Sequence, residues 1–172
     1  GIILRTIFRH FCGGESIAGC KSCVEALGSF GVKTILDYSV EGKSSEEDFE
    51  SSVQEILATI EEAGRNDRVP LAVFKVTGLA SFSLLEKVHA GAELDESEQE
   101  AWKRVQARVE SICRAASKVG IPVLIDAEES WVQDAIDTLS RDMMRQFNGE
   151  RAIVYNTVQM YRVDRLDFVK SE

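Results

Sequence analysis

Apolar and polar positions along this chain follow two different periods. Four short runs are nearly continuous in apolar or β-branched residues and read as buried strands, at residues 32–38, 71–76, 122–126 and 152–157. Elsewhere apolar residues recur at helical spacing with charges between them. Phe49, Val53, Ile56, Leu57 and Ile60 share one face, and Trp102, Val105, Val109, Ile112 and Ala116 share another. Further helices are predicted over residues 3–11, 16–30, 82–89 and 130–147, with one more beginning near Tyr161. The breaks fall where helices should stop and start. Gly13-Gly14 interrupts the first segment, Gly31 follows the second, and Gly120 ends the long helix with Pro122 two residues beyond. Ser44 with Glu47, or Ser45 with Asp48, caps the helix that follows the loop at 42–45, and Asp95 or Ser97 caps the long one.

A helical lead-in followed by four strand–helix units implies an α/β protein with parallel strands and right-handed crossovers. Pro70 and Pro122 each stand just before a strand, where no ladder bond is yet needed. Two folds fit this pattern: an open doubly wound sheet, and half of a (βα)8 barrel of the TIM type. No strand is followed by G-x-G-x-x-G or a Walker loop, the usual marks of the first. The expected division is a helical lead-in at 1–31 and the strand-bearing unit at 32–172. The chain does not begin with Met and shows no signal peptide, which fits a piece excised from a longer intracellular protein.

The strand ends carry the candidate chemistry. Lys75 lies near the end of Leu71-Ala-Val-Phe-Lys-Val-Thr77, Asp126 closes Pro122-Val-Leu-Ile-Asp126, and Asp37 follows Val32-Lys-Thr-Ile-Leu36. Gln159 comes shortly after Ala152-Ile-Val-Tyr155. In α/β proteins the carboxyl ends of parallel strands form the ligand-binding rim. A strand lysine is costly to bury unless it is paired or faces an anion. Two readings of Lys75 therefore stand: a ligand-facing cation, or a structural ion pair with Asp37 or Asp126. Asp126 with Glu129 also reads as a capping box for the next helix. Gln159 suits either the edge of a planar heterocycle or a loop backbone. His10 and His89 read as surface or packing residues, and Trp102 and Trp131 as core or interface residues.

Composition narrows the partners. A formal charge of −9 argues against nucleic acid, whose phosphates need clustered Lys and Arg. No segment is long and apolar enough to span a bilayer. The four cysteines do not form a disulfide framework, and Cys20-Lys-Ser-Cys23 lacks the second pair of a zinc site.

Three of these stretches resemble the proline dehydrogenase family: Phe74-Lys-Val-Thr-Gly-Leu79, Leu124-Ile-Asp-Ala-Glu-Glu129 with the Trp131-Val-Gln-Asp-Ala135 that follows, and Tyr155-Asn-Thr-Val-Gln-Met-Tyr161. They occur in the family's order. Ile35-Leu-Asp-Tyr38 resembles its first strand more loosely. The resemblance implies a distorted (βα)8 barrel holding FAD at its strand ends, here only its first four βα units. It implies that Lys75 binds the substrate carboxylate, that Asp126 is an active-site and flavin-side aspartate, that Gln159 contacts the flavin, and that Asp37 lies near the active site. The implied reaction is oxidation of L-proline to Δ1-pyrroline-5-carboxylate, with electrons passed to a quinone. It takes place in a bacterial cytoplasm or peripherally on the inner membrane, or in a mitochondrion. The family's fifth-strand arginine and last-strand arginine pair have no counterpart in this chain. The expectation is therefore a half barrel that alone neither holds FAD nor oxidises proline, and that self-associates through exposed edges. The rival reading is a non-catalytic α/β binding or regulatory module whose strand-end charges are structural ion pairs. A phosphate-binding barrel is disfavoured, because its phosphate loops follow later strands.

Overall fold

The computed structural model describes residues 12–38 and 44–172. The helix expected over 3–11, with His10, and residues 42 and 43 of the loop at 42–45 lie outside the described residues.

Each long helix starts and stops for a local reason. Helix α1 (Ile17–Gly28) opens on Ser16, whose hydroxyl accepts the Gly19 amide at 3.1 Å. Beyond it Gly31 adopts a left-handed φ of 75°. Helix α2 (Glu46–Arg65) begins with a capping box between Ser45 and Asp48, so the second of the two expected caps is the one that forms. After the short α3 (Phe82–His89), helix α4 (Glu96–Val119) repeats the device with Asp95 and Glu98, and ends on Gly120 at φ 81°. Helix α5 (Gln133–Phe147) and the short α6 (Arg165–Ser171) complete the set.

The strands are shorter than their apolar runs: β1 (Leu36–Asp37), β2 (Ala72–Phe74), β3 (Val123–Ile125) and β4 (Val154–Asn156). All pair in parallel, in the spatial order β1-β2-β3-β4. That order separates the two candidate folds. A doubly wound sheet reverses its strand order at a switch point and carries helices on both faces. Here each strand lies beside its predecessor, so the crossovers wind one way, as in a barrel. The architecture is the expected half barrel.

The helix-facing sides of the strands, including Ala72, Phe74, Val123, Ile125 and Val154, are buried against α2, α4 and α5. Ile56, Ile60, Val109, Ile112, Ile136 and Leu139 supply the helical half of this core. Cys113 belongs to it, and burial pushes its thiol up to about 12. Trp102 packs against the same core, as expected.

One buried cation ties the helical layer to the rim. The Arg108 guanidinium, on α4, pairs with Glu46 and Glu50 of α2 and donates to the Leu79 carbonyl at 3.1 Å. It thereby holds the turn that follows β2 against both long helices.

Candidate functional site at the carboxyl ends of the strands

Register and alternation explain why the rim residues meet. Val73 pairs with Leu124, and Leu124 with Tyr155, on the face away from the helices. Side chains alternate every residue along a strand, so Lys75, Asp126 and Thr157 project to that same face two residues further on. The Asp126 amide donates to the Phe74 carbonyl and the Thr157 amide to Ile125, which continues the ladder to this level. Asp37 pairs with Val73 and faces the same way, one step back from the rim.

The Lys75 ammonium lies 3.2 Å from Asp37 and 3.2 Å from Asp126. It therefore bridges two carboxylates where the sequence offered a choice of one. Burial alone would lower the Lys75 pKa, but the hydrogen bonds and charges of Asp126 and Asp37 outweigh it and hold the group above its ordinary value. The three side chains are 34%, 38% and 35% exposed, so water reaches all of them. Asp126 is further held by Thr157, whose hydroxyl donates to it at 3.1 Å and accepts the Ala127 amide at 2.6 Å.

Lys75 and Gln159 line one open cleft of about 1100 Å³. Thr77, Phe82, Glu128, Trp131, Tyr161 and Arg162 also line it. The cleft lies slightly above the usual size range for small-molecule sites and mixes aromatic surface with several polar groups. Trp131 is half-exposed at this cleft and so is not a core residue, one of the two readings its helical spacing suggested. Tyr161, expected to open a helix, sits in a turn before α6 and is largely exposed.

The capping box expected between Asp126 and Glu129 does not form. Helix α5 starts at Gln133 with Val132 as its cap residue, after a loop that ends in a turn over residues 130–132. The exposed amide of Asp134 donates instead to His89 Nδ1 at 3.2 Å, so His89 serves as a cap and not as a bystander. Asp126 is thereby left to the rim.

Glu128 is a residue that sequence reasoning passed over. Its carboxylate accepts the Thr77 amide at 3.1 Å and the Thr77 hydroxyl. Burial pushes its carboxyl above the ordinary range. The Thr77 hydroxyl and amide pull against that rise, and the charge of Glu129 adds to it. A carboxyl raised on folding contributes fully below its unfolded value of 4.5 and loses that contribution as pH climbs through the folded value. Glu128→Gln preserves both contacts, because the Thr77 hydroxyl can accept as well as donate. The variant should therefore match the parent in urea unfolding at about pH 4 and exceed it at about pH 8. An equal difference at both pH values would contradict this environment for Glu128.

Two buried polar atoms near the rim have no hydrogen-bond partner among the described residues: Asn156 Oδ1 and Arg162 Nη1. No cluster of His, Cys, Asp or Glu among the described residues has the geometry to hold a metal. The cysteine pair Cys20 and Cys23 lies on α1, and both sulfurs approach Gly13. No helix among the described residues is long and apolar enough to cross a membrane.

The sequence profile of the proline dehydrogenase family matches residues 20–172. The chain belongs to that family. Proline dehydrogenase relatives include mitochondrial proline dehydrogenase 1 of Dictyostelium discoideum, 30% identical over 96% of this chain and 35% of that protein. The carbapenem antibiotics biosynthesis protein CarD of Pectobacterium carotovorum is 33% identical over 92% of this chain and 42% of its own length. The chain thus spans well under half of either relative. Among solved structures, proline utilization A from Bdellovibrio bacteriovorus, inactivated by N-propargylglycine, superposes with a TM-score of 0.76 at 18% identity. That match covers 95% of this chain and 18% of the larger protein, and it shows the same fold.

The family is flavin-dependent in general, and the residues present suit such a group. Trp131, Tyr161 and Phe82 offer apolar surface for a planar ring system, Gln159 an amide for its polar edge, and Arg162 a cation with an unused buried nitrogen.

Proposed function

We propose that this chain forms the first half of a barrel that oxidises L-proline to Δ1-pyrroline-5-carboxylate and passes the electrons to a quinone. The observation that carries this reading is the Lys75 ammonium, held between Asp37 and Asp126 and lining the same cleft as Gln159. Bound FAD would supply the hydride acceptor. Gln159, Trp131 and Arg162 would hold it, with Asp126 beside it. Lys75 anchors the substrate carboxylate as a point charge, and Asp37 and Asp126 keep the ammonium protonated and aimed.

This half requires another. Lys75 with two aspartates carries a net charge of one negative unit, which does not by itself attract a carboxylate. Further cations must come from outside this cluster. Among the described residues β4 ends one side of the sheet, with Tyr155 exposed on it, and a sheet edge invites another strand. The strand-bearing unit at 32–172 is therefore a partner-dependent half barrel behind a lead-in at 1–31. Alone it self-associates, and the complete protein works at the periphery of the membrane that carries its quinone.

The test compares the purified 172-residue chain with a longer protein in which it is followed by the remaining strands of a family barrel. Visible flavin absorbance and proline-dependent reduction of a quinone should appear only in the longer protein. Light scattering should find the chain alone in assemblies larger than a monomer. A flavin-free, proline-inert longer protein would overturn the enzyme assignment. A yellow, active chain would overturn its dependence on a second half.

A further inference from the structure

We propose that Asp137, on the helical layer behind the rim, is a positioning residue that sets the strand-end site of this protein. The carboxylate is buried, at 4% exposure, and it is the hub of a polar network that the flavin chemistry does not itself require. Its Oδ1 accepts from Gln133 Nε2 at 2.8 Å and from Asn156 Nδ2 at 2.9 Å. Its Oδ2 accepts from Arg165 Nη1 at 2.6 Å.

From this hub the network reaches the loops that follow β2, β3 and β4. Gln133 is 2% exposed, and its Oε1 accepts the Glu128 amide at 2.9 Å. Glu128 in turn holds the amide and hydroxyl of Thr77. Thr77 lies two residues beyond Lys75, Glu128 two beyond Asp126, and Asn156 three before Gln159. One carboxylate therefore sets the relative placement of the ends of β2, β3 and β4. Arg165 adds the start of α6 to the same frame.

This arrangement differs from a generic stabilising pair. Buried ion pairs add little stability compared with well-packed apolar residues, so a network of this extent calls for another role. Its members close loops, and loops at strand ends are the parts of such a fold that hydrophobic packing leaves loose. A displacement of about 1 Å at a reacting group costs on the order of a hundredfold in rate. The link to catalysis rests on the proline-oxidising reading above, whereas the ordering of the loops does not.

The test uses Asp137→Asn, with Ile136→Val as a control that loosens the fully buried face of α5 and spares the network. Gln133→Met is a second variant, removing the relay to Glu128 while leaving the Asp137–Arg165 pair. Amide exchange in the 172-residue chain is read at Thr77, Ala127 and Glu128, with Phe74 and Ile125 as references inside the sheet. Asp137→Asn and Gln133→Met should each lower protection at the loop amides about tenfold or more while the references hold, and Ile136→Val should not. In the flavin-loaded longer protein the same variants should lower kcat about tenfold or more, beyond anything Ile136→Val does.

Equal loss at loop and sheet amides, or loop protection unchanged, overturns the proposal by showing a purely structural hub or none. Loosened loops with kcat unchanged overturn it as a catalytic device. A parent protein inert towards proline would count against the proposed function alone, because the exchange experiment still decides whether Asp137 orders the rim.

Discussion

Lys75→Ala should raise the KM for L-proline by roughly ten- to a hundredfold while changing stability by no more than about 1 kcal/mol. The first figure follows from the contact removed. A charge-assisted hydrogen bond is worth about 1.5–3 kcal/mol, and each 1.4 kcal/mol is about tenfold in affinity. The second follows from exposure. Lys75, Asp37 and Asp126 are each about one-third exposed, so solvent screens the two carboxylates once the ammonium is gone. The split between binding and stability is what distinguishes a substrate anchor from a structural pair. Steady-state kinetics of the longer protein and urea unfolding of the chain measure the two halves. An unchanged KM and kcat would remove Lys75 from the site, and a large stability loss without a kinetic change would favour the structural reading.

Phe74→Ala should cost about 3–5 kcal/mol of folding stability, a large share of the roughly 5–15 kcal/mol available to a domain. Phe74 is fully buried at the carboxyl end of β2, with Ile125 beside it in the sheet and the helices behind it. Truncation leaves a cavity where neighbouring strand and helix side chains meet, and a close-packed layer relaxes only partly into it. Phe74 also immediately precedes Lys75, so the strand end that aims the ammonium shifts with it. Urea unfolding of the variant checks the cost. A loss below about 1 kcal/mol would mean that the helical layer does not close over this face of the sheet.

Among the described residues local periodicity identified the kind and order of the strands and long helices, but not their bounds. The alternation of apolar runs with helical spacing specified four strands and the helices between them, because both periods are properties of neighbouring residues. Caps were equally legible: Ser45 with Asp48, Asp95 with Glu98, and Gly120 all act within one turn of the helix they end. Where a local rule had a tertiary competitor it failed. Asp126 and Glu129 have the spacing of a capping box, but Lys75 and Thr157 claim the aspartate and the helix begins later. Trp131 has helical spacing too, yet it stands in the turn before α5, at the cleft.

From the letters alone came the α/β class, the four strand ends, and Lys75, Asp37, Asp126 and Gln159 as the residues to watch. Only the folded chain decided the strand order, and with it the half barrel over the doubly wound sheet, because order depends on how each crossover helix packs and not on any window of sequence. Only the fold, likewise, brought in Thr157, Glu128, Gln133 and Asp137. Their partners lie up to 51 residues away, and no periodicity within a strand or helix encodes contacts made between them.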